Sequence, residues 1–195
     1  MITENKDNRQ QILECALRLF AKKGYDGVST QEIVDSAGVT KPTMYHYFGS
    51  KEGLLQDIFK AYYTDFLRKL EGALTLPEDV SLSVFRLIRA YFDTALYQQD
   101  FFAFRSSLTL RSGEDAASLA AAPYIEREFT LINEFFKKAA QIAGNLRGKE
   151  AQCTISFIGV VSANTAAYLF TKNEKLLSDE AALRIRQQFL YGIYS

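Results

Sequence analysis

Between Thr40 and Phe48 the chain reads Thr-Lys-Pro-Thr-Met-Tyr-His-Tyr-Phe, a run dense in side chains that hydrogen-bond and stack. Wound as a helix, Met44 and Phe48 lie four apart and share one face. Lys41, Pro42, Thr43, Tyr45, His46 and Tyr47 are then left to face outward. Hydroxyls, an imidazole and an ammonium on one short rod suit hydrogen bonds to phosphates and base edges, plus apolar contact with thymine methyls. An exposed Tyr-His-Tyr run is poorly explained by solubility alone. Catalytic chemistry finds little here: one histidine, two cysteines far apart at Cys15 and Cys153, no phosphate-cradling glycine loop and no metal-ligand spacing. No catalytic residue, metal site or cofactor is expected.

Such a rod must be held by its neighbours. From about Asn8 to Lys23, apolar Ile12, Leu13, Ala16, Leu17, Phe20 and Ala21 recur at steps of three and four, a helical stripe that Gly24 stops. Ser29-Thr30-Gln31-Glu32 is a capping box opening a second, short helix with Ile33, Val34 and Ala37 buried and Gly38 ending it. Thr40 caps the third helix, with Pro42 in its first turn, where a missing amide hydrogen costs little. Two short helices joined by a tight glycine-containing turn form a helix-turn-helix, whose second helix fits the major groove.

Ser50 then caps a fourth helix carrying Leu54, Leu55, Ile58, Phe59, Tyr62, Phe66 and Leu70. Gly72 to Asp79, with Pro77, marks a break. Further helices are expected at about 79–98, 100–111, 120–143, 150–172 and 179–193, with loops at Ser112 to Asp115 and Gly144 to Gly148. Ser178 with Asp179 and Glu180 marks the capped start of the last helix. No strand alternation persists, so the fold class is all-α.

Charge gives no global support for a nucleic-acid partner, since 23 basic residues balance 23 acidic ones. What matters is placement: no acid falls between Asp35 and Glu52, where Lys41, His46 and Lys51 lie, and a local patch can meet phosphates without a basic domain. Both cysteines sit in apolar-periodic segments and read as reduced thiols; with no secretory signal at the polar N-terminus, a cytoplasmic location is expected. Ala151 to Thr171 has no charged residue and enough length to span a bilayer, but Gln152, Thr154, Ser156, Ser162, Asn164, Thr165 and Thr171 interrupt it. It reads instead as a helix buried within protein.

The residues from about Gln11 to Leu55 resemble the tetracycline-repressor (TetR) family of regulators. The likeness is carried by Ile12-Leu13, Leu19-Phe20, Gly24-Tyr25, Ser29-Thr30, Ile33, Ala37-Gly38-Val39, Thr43-Met44-Tyr45-His46-Tyr47-Phe48 and Ser50-Lys51-Glu52-Leu54-Leu55, about a quarter of the chain. The resemblance implies a two-fold dimer of about nine helices, with a helix-turn-helix DNA-binding domain at 1–50 and a helical effector-binding and dimerisation domain at 51–195. Lys41, Pro42, Thr43 and Tyr45 are then base-proximal; Ser29, Thr30, His46, Tyr47 and Lys51 are phosphate contacts. Gly49 and Gly53 depart from the family pattern, and they are expected to loosen the junction to the fourth helix.

Two further surfaces follow. Helix 150–172 is apolar or small all round, with Gly159, Ser162, Ala163, Ala166 and Ala167, and helix 179–193 carries Leu183, Phe189, Leu190 and Ile193. A helix apolar on every side needs two sets of neighbours, so these two helices are the expected homodimer surface. Tyr91, Phe92, Phe101, Phe102, Phe104, Phe135, Phe136, Tyr168 and Phe170 exceed what packing alone requires. Phe92, Phe104, Arg105, Phe136, Asn164 and Tyr168 are the candidate lining of a pocket for a small, largely apolar effector. The implied activity is operator binding by a repressor that such an effector releases, with no membrane partner. A helical interaction module, or a regulator without a ligand pocket, is the alternative reading.

Overall fold

The computed structural model describes residues 2–74, 79–109, 115–142 and 146–194, and among them every regular element is helical. Nine helices are described: α1 (Ile2–Lys23), α2 (Thr30–Ala37), α3 (Lys41–Phe48), α4, α5 (Val80–Tyr97), α6 (Gln99–Thr109), α7 (Ala116–Ile142), α8 (Glu150–Thr171) and α9 (Asp179–Tyr194). Helix α4 is continuous through an α-helical stretch Lys51–Ile58, a π-helical turn Phe59–Tyr63 and a second α-helical stretch Thr64–Ala73. A short 3-10 turn, Glu174–Leu177, precedes α9.

The chain packs as two compact units, one of residues 1–64 with 100–123 and one of residues 65–99 with 124–195. In the first unit the stripe of α1 (Ile12, Leu13, Ala16, Leu17, Phe20) is buried, as are Ile33, Val34 and Ala37 of α2 and Met44 and Phe48 of α3. Phe20 is fully covered and meets the rings of Tyr25 at 5.2 Å and Phe104 at 5.7 Å. Burying one such ring is worth about 2–3 kcal/mol relative to leaving it in water. The second unit is built round Phe157, whose ring lies 5.7 Å from Phe189 and 6.1 Å from both Tyr91 and Phe136.

The π turn alters the expected stripe of α4. A π turn adds one residue to the helical repeat, so the buried positions run Ile58, Phe59, Tyr63, Phe66 and Leu70. Tyr63 takes the covered place expected of Tyr62, which is only half-buried. Helix α7 starts four residues earlier than the apolar pattern implies, because the Asp115 carboxylate caps it, accepting from the amides of Ala117 (3.1 Å) and Ser118 (2.9 Å). The expected break loses residues 75–78 to the undescribed part of the chain, and the expected loops lose 112–114 and 144–145.

Gly53 also changes meaning. A Cβ there would lie 2.0 Å from the carbonyl oxygen of Phe48, a backbone atom with nowhere to go. This glycine lets the end of α3 sit against the head of α4, so it tightens a junction that sequence reasoning expected it to loosen.

Candidate nucleic-acid interface

The geometry of α2 and α3 follows from their caps. Ser29 Oγ accepts from the Glu32 amide at 3.2 Å while Glu32 Oε2 accepts from the Ser29 amide at 2.9 Å, so each satisfies a donor the helix leaves free. The Glu32 carboxyl is held down at about 2 by the bond from Lys23 Nζ (2.5 Å) and then by the Ser29 amide. Gly38 adopts φ 64°, a left-handed turn that brings the Val39 amide back to Val34 O at 3.0 Å. Two residues later Thr40 caps α3, its hydroxyl accepting from the Thr43 amide at 3.4 Å and lying 2.9 Å from the Thr43 hydroxyl.

With Met44 and Phe48 turned inward, Lys41, Pro42 and His46 are exposed and Tyr45 is 43% exposed. Thr43 and Tyr47 are half-buried; the Tyr47 ring stands edge-on to His46 at 5.4 Å. Ser29 is exposed at the head of α2 and Thr30 half-exposed beside it. These eight side chains therefore come together on α2 and α3 and none is lost to the core. Behind them, Arg9 of α1 is paired with Asp57 at 2.6 Å and lies 5.2 Å from the Phe48 ring centroid, which ties α1 to the end of α3 and to α4.

Lys51 is placed differently. Its Nζ donates to the backbone carbonyl of Tyr25 at 2.7 Å and lies 4.1 Å from the centroid of the Tyr25 ring. Burial pushes its pKa down, an effect that the charges of Asp26, Glu52 and Glu32 oppose. Tyr25 is almost wholly buried and donates its phenol to Glu52 Oε1 at 3.2 Å; burial first, then the Glu52 charge, drives its own pKa up.

The six effector candidates do not share one cavity wall in the same way. Phe104 and Arg105 belong to the first unit, where Phe104 stacks parallel on Phe59 at 5.8 Å and the buried Arg105 guanidinium lies 5.1 Å from the Phe102 ring. Phe92, Phe136, Asn164 and Tyr168 belong to the second unit. Phe136 is a core ring; the Tyr168 hydroxyl accepts from Gln99 Nε2 at 2.8 Å; Asn164 Nδ2 donates back to Val160 O at 2.9 Å. Phe170, counted among the interior aromatics, is 91% exposed because it falls on the outer side of α8.

A cleft of about 460 Å³ does open in the second unit, lined by Glu71, Leu74, Val80, Arg127, Leu131, Glu134, Phe135, Lys138 and Ala139. Of the aromatic set only Phe135 reaches it. Its α7 wall was legible as the four-residue spacing of Arg127, Leu131, Phe135 and Ala139. That spacing mixes charge with apolar residues, so it does not stand out in the sequence as a pocket wall.

Two short capped helices at a glycine turn, the second with exposed polar and aromatic side chains, define a helix-turn-helix protein. Residues 12–58 match the model of bacterial regulatory proteins of the tetR family, and this segment belongs to that family. It is 30% identical over 151 residues, 75% of this chain and 48% of the relative, to the uncharacterized HTH-type transcriptional regulator YuxN of Bacillus subtilis (strain 168). It is 28% identical over 107 residues, 50% of this chain and 52% of the relative, to the HTH-type transcriptional repressor KstR2 of Rhodococcus jostii (strain RHA1). The chain thus spans about half the length of these curated relatives. Among solved structures it superposes on the transcriptional regulator FadR of Bacillus subtilis in complex with stearoyl-CoA, with TM-score 0.73 and 17% identity, covering 95% of this chain and 97% of that one.

Proposed function

We propose that this protein is a transcriptional regulator that binds operator DNA as a homodimer in the cytoplasm and is released from it by a small, largely apolar effector. Residues 1–50 are the DNA-binding segment and 51–195 the effector-binding and dimerisation segment. The observation that carries the reading is α3: a helix capped at Thr40, anchored by Met44 and Phe48, with Lys41, Pro42, Tyr45 and His46 at the surface. Lys41, Pro42, Thr43 and Tyr45 face base edges, while Ser29, Thr30, His46 and Tyr47 meet phosphates; Lys51 belongs to the phosphate side by its place at the head of α4. Two such helices in a dimer sit about one DNA turn apart, roughly 34 Å, and read a palindrome.

An outer face on α8 supports the dimer. Ile155 is 64% exposed, Val160 38% and Phe170 91%, with small Gly159, Ala163, Ala166 and Ala167 exposed between them. Leu183 of α9 is also exposed. Contiguous apolar surface of this kind marks an interaction site, and a second copy of the same face would cover it. By length and composition α8 could also cross a membrane, but its inner side (Cys153, Phe157, Val161, Tyr168) belongs to the core, which favours the dimer.

For the effector, the cleft at Leu131 and Phe135 supplies space, and the neighbour's stearoyl-CoA points to a long acyl thioester as the first compound to try. Buried Phe92, Phe104, Arg105, Phe136 and Tyr168 and half-buried Asn164 are the side chains that its uptake would rearrange. DNA affinity then falls by linkage. The repressor sense has its support in the name of the Rhodococcus relative.

The test is enrichment of bound duplexes from a randomised pool, followed by affinity measurements. The wild type should enrich a palindrome, Thr43→Ala should relax preference at particular base pairs by about 1–3 kcal/mol, and stearoyl-CoA should weaken binding. No enriched sequence would sink the regulator reading; enrichment with Thr43→Ala unchanged would sink the placement of α3 in the groove.

A further inference from the structure

The cleft of the second unit has a shape as well as a volume. Its α7 wall runs from Arg127 to Ala139, about 18 Å along the helix axis. Spreading about 460 Å³ over that length leaves a mean cross-section of about 25 Å², a trough for one extended chain and not a chamber for a bulky fused-ring compound. Leu131 and Phe135 lie midway along the wall, and Leu74 and Val80 complete the apolar lining. Charge gathers toward the two ends: Glu71 and Arg127 at one, Glu134 and Lys138 at the other.

The Arg127 end is the one built to exchange partners. Arg127 Nη2 donates to Glu71 Oε1 at 3.0 Å, and both side chains are about half exposed, so the pair stabilises little. Glu71 stands in the last turn of α4, where the helix dipole disfavours an anion. A guanidinium offers a planar fork of donors that matches a carboxylate or a phosphate, and Glu71 engages one nitrogen of it. We propose that the cleft takes an extended amphiphile whose anionic head replaces Glu71 at Arg127 while its chain lies along Leu131 and Phe135. Glu71 holds the head-group position until the ligand arrives, and its departure releases the last turn of α4 from α7. The consequence at DNA rests on the effector reading; binding in the cleft is measured without DNA.

Probes with one straight twelve-carbon chain separate the head groups: laurate and lauroyl-CoA are anionic, dodecanol is neutral and dodecylammonium cationic. Calorimetric titration of the full chain, below micelle-forming concentrations, should show an anionic probe binding about fivefold tighter than the neutral and cationic ones. Tighter binding of laurate assigns the head position to a carboxylate; tighter binding of lauroyl-CoA assigns it to phosphates. With the tighter anionic probe, Arg127→Gln should weaken binding about fivefold. Glu71→Gln should tighten it about two- to fivefold by removing the competitor, a gain that a merely structural ion pair would not give. Both positions are exposed, so helical content should stay unchanged in both variants. Leu131→Gln, at a half-buried position, should weaken both anionic probes. Failure of both anionic probes to bind overturns the site. So does dodecylammonium binding as tightly as they do, or a Glu71→Gln variant that gains no affinity. If the cleft behaves as expected and the bound probe leaves affinity for the enriched duplex unchanged, the site stands and the effector reading falls.

Discussion

At the scale of single residues, the structure separates positions that read alike. Gly53 counts as a helix-weakening residue by propensity, and an alanine there gains about 1 kcal/mol by that measure alone. Space reverses the sign, because the new methyl would stand 2.0 Å from Phe48 O. Gly53→Ala should therefore destabilise the protein by about 1–3 kcal/mol, the usual cost of overpacking, and thermal unfolding will show it. A rise in melting temperature would mean that the end of α3 moves freely. The two threonines of α3 divide in a similar way. Thr40 spends its hydroxyl on the cap, whereas Thr43 shares one hydrogen bond with Thr40 and keeps capacity for a base.

At the scale of elements, α2 depends on charge as well as on its buried face. Glu32 closes the capping box and pairs with Lys23 on α1, and both interactions favour its ionised form. Its folded pKa lies below its unfolded one, so the stability it contributes is complete above about pH 4.5 and is lost as pH falls towards about 2. Acid titration followed by circular dichroism should show helix loss in that window, and Glu32→Gln should flatten the response. If the variant and wild type titrate alike, the box is not what holds α2 at low pH. Helix α4 shows a different kind of element-level effect. Its π turn brings Phe59 and Tyr63 into the core together, with the Phe59 ring on Phe104 and the Tyr63 ring on Phe101.

At the scale of the whole molecule, the proposed dimer rests on the outer face of α8. Phe170 is the most exposed of its apolar side chains, and Ala163 sits among small residues that permit close approach. Replacing Ala163 with Glu should halve the mass seen by analytical ultracentrifugation and leave helical content unchanged, since the side chain adds charge to a face that is exposed in the single chain. Duplex affinity should fall with it, because one half-site must then bind alone. A dimer that survives the change must use another surface.

The local order of this protein is written in its sequence. The caps at Ser29, Thr40, Ser50 and Ser178, the inward pair Met44 and Phe48, and the spacing that makes α1 through α3 all act over a few residues, where propensity and hydrogen bonding decide. Sequence spacing could not say what lies across from a residue. The stretch between Asp35 and Glu52 reads as free of acids, yet folding brings Asp26 and Glu32 near Lys51 and sets its ammonium on the Tyr25 carbonyl. It also buries Phe92, Phe104 and Phe136 in packed cores and turns Phe170 outward. Electrostatics and packing act through space over distances that the chain covers only by folding back on itself, so those assignments belong to the tertiary structure.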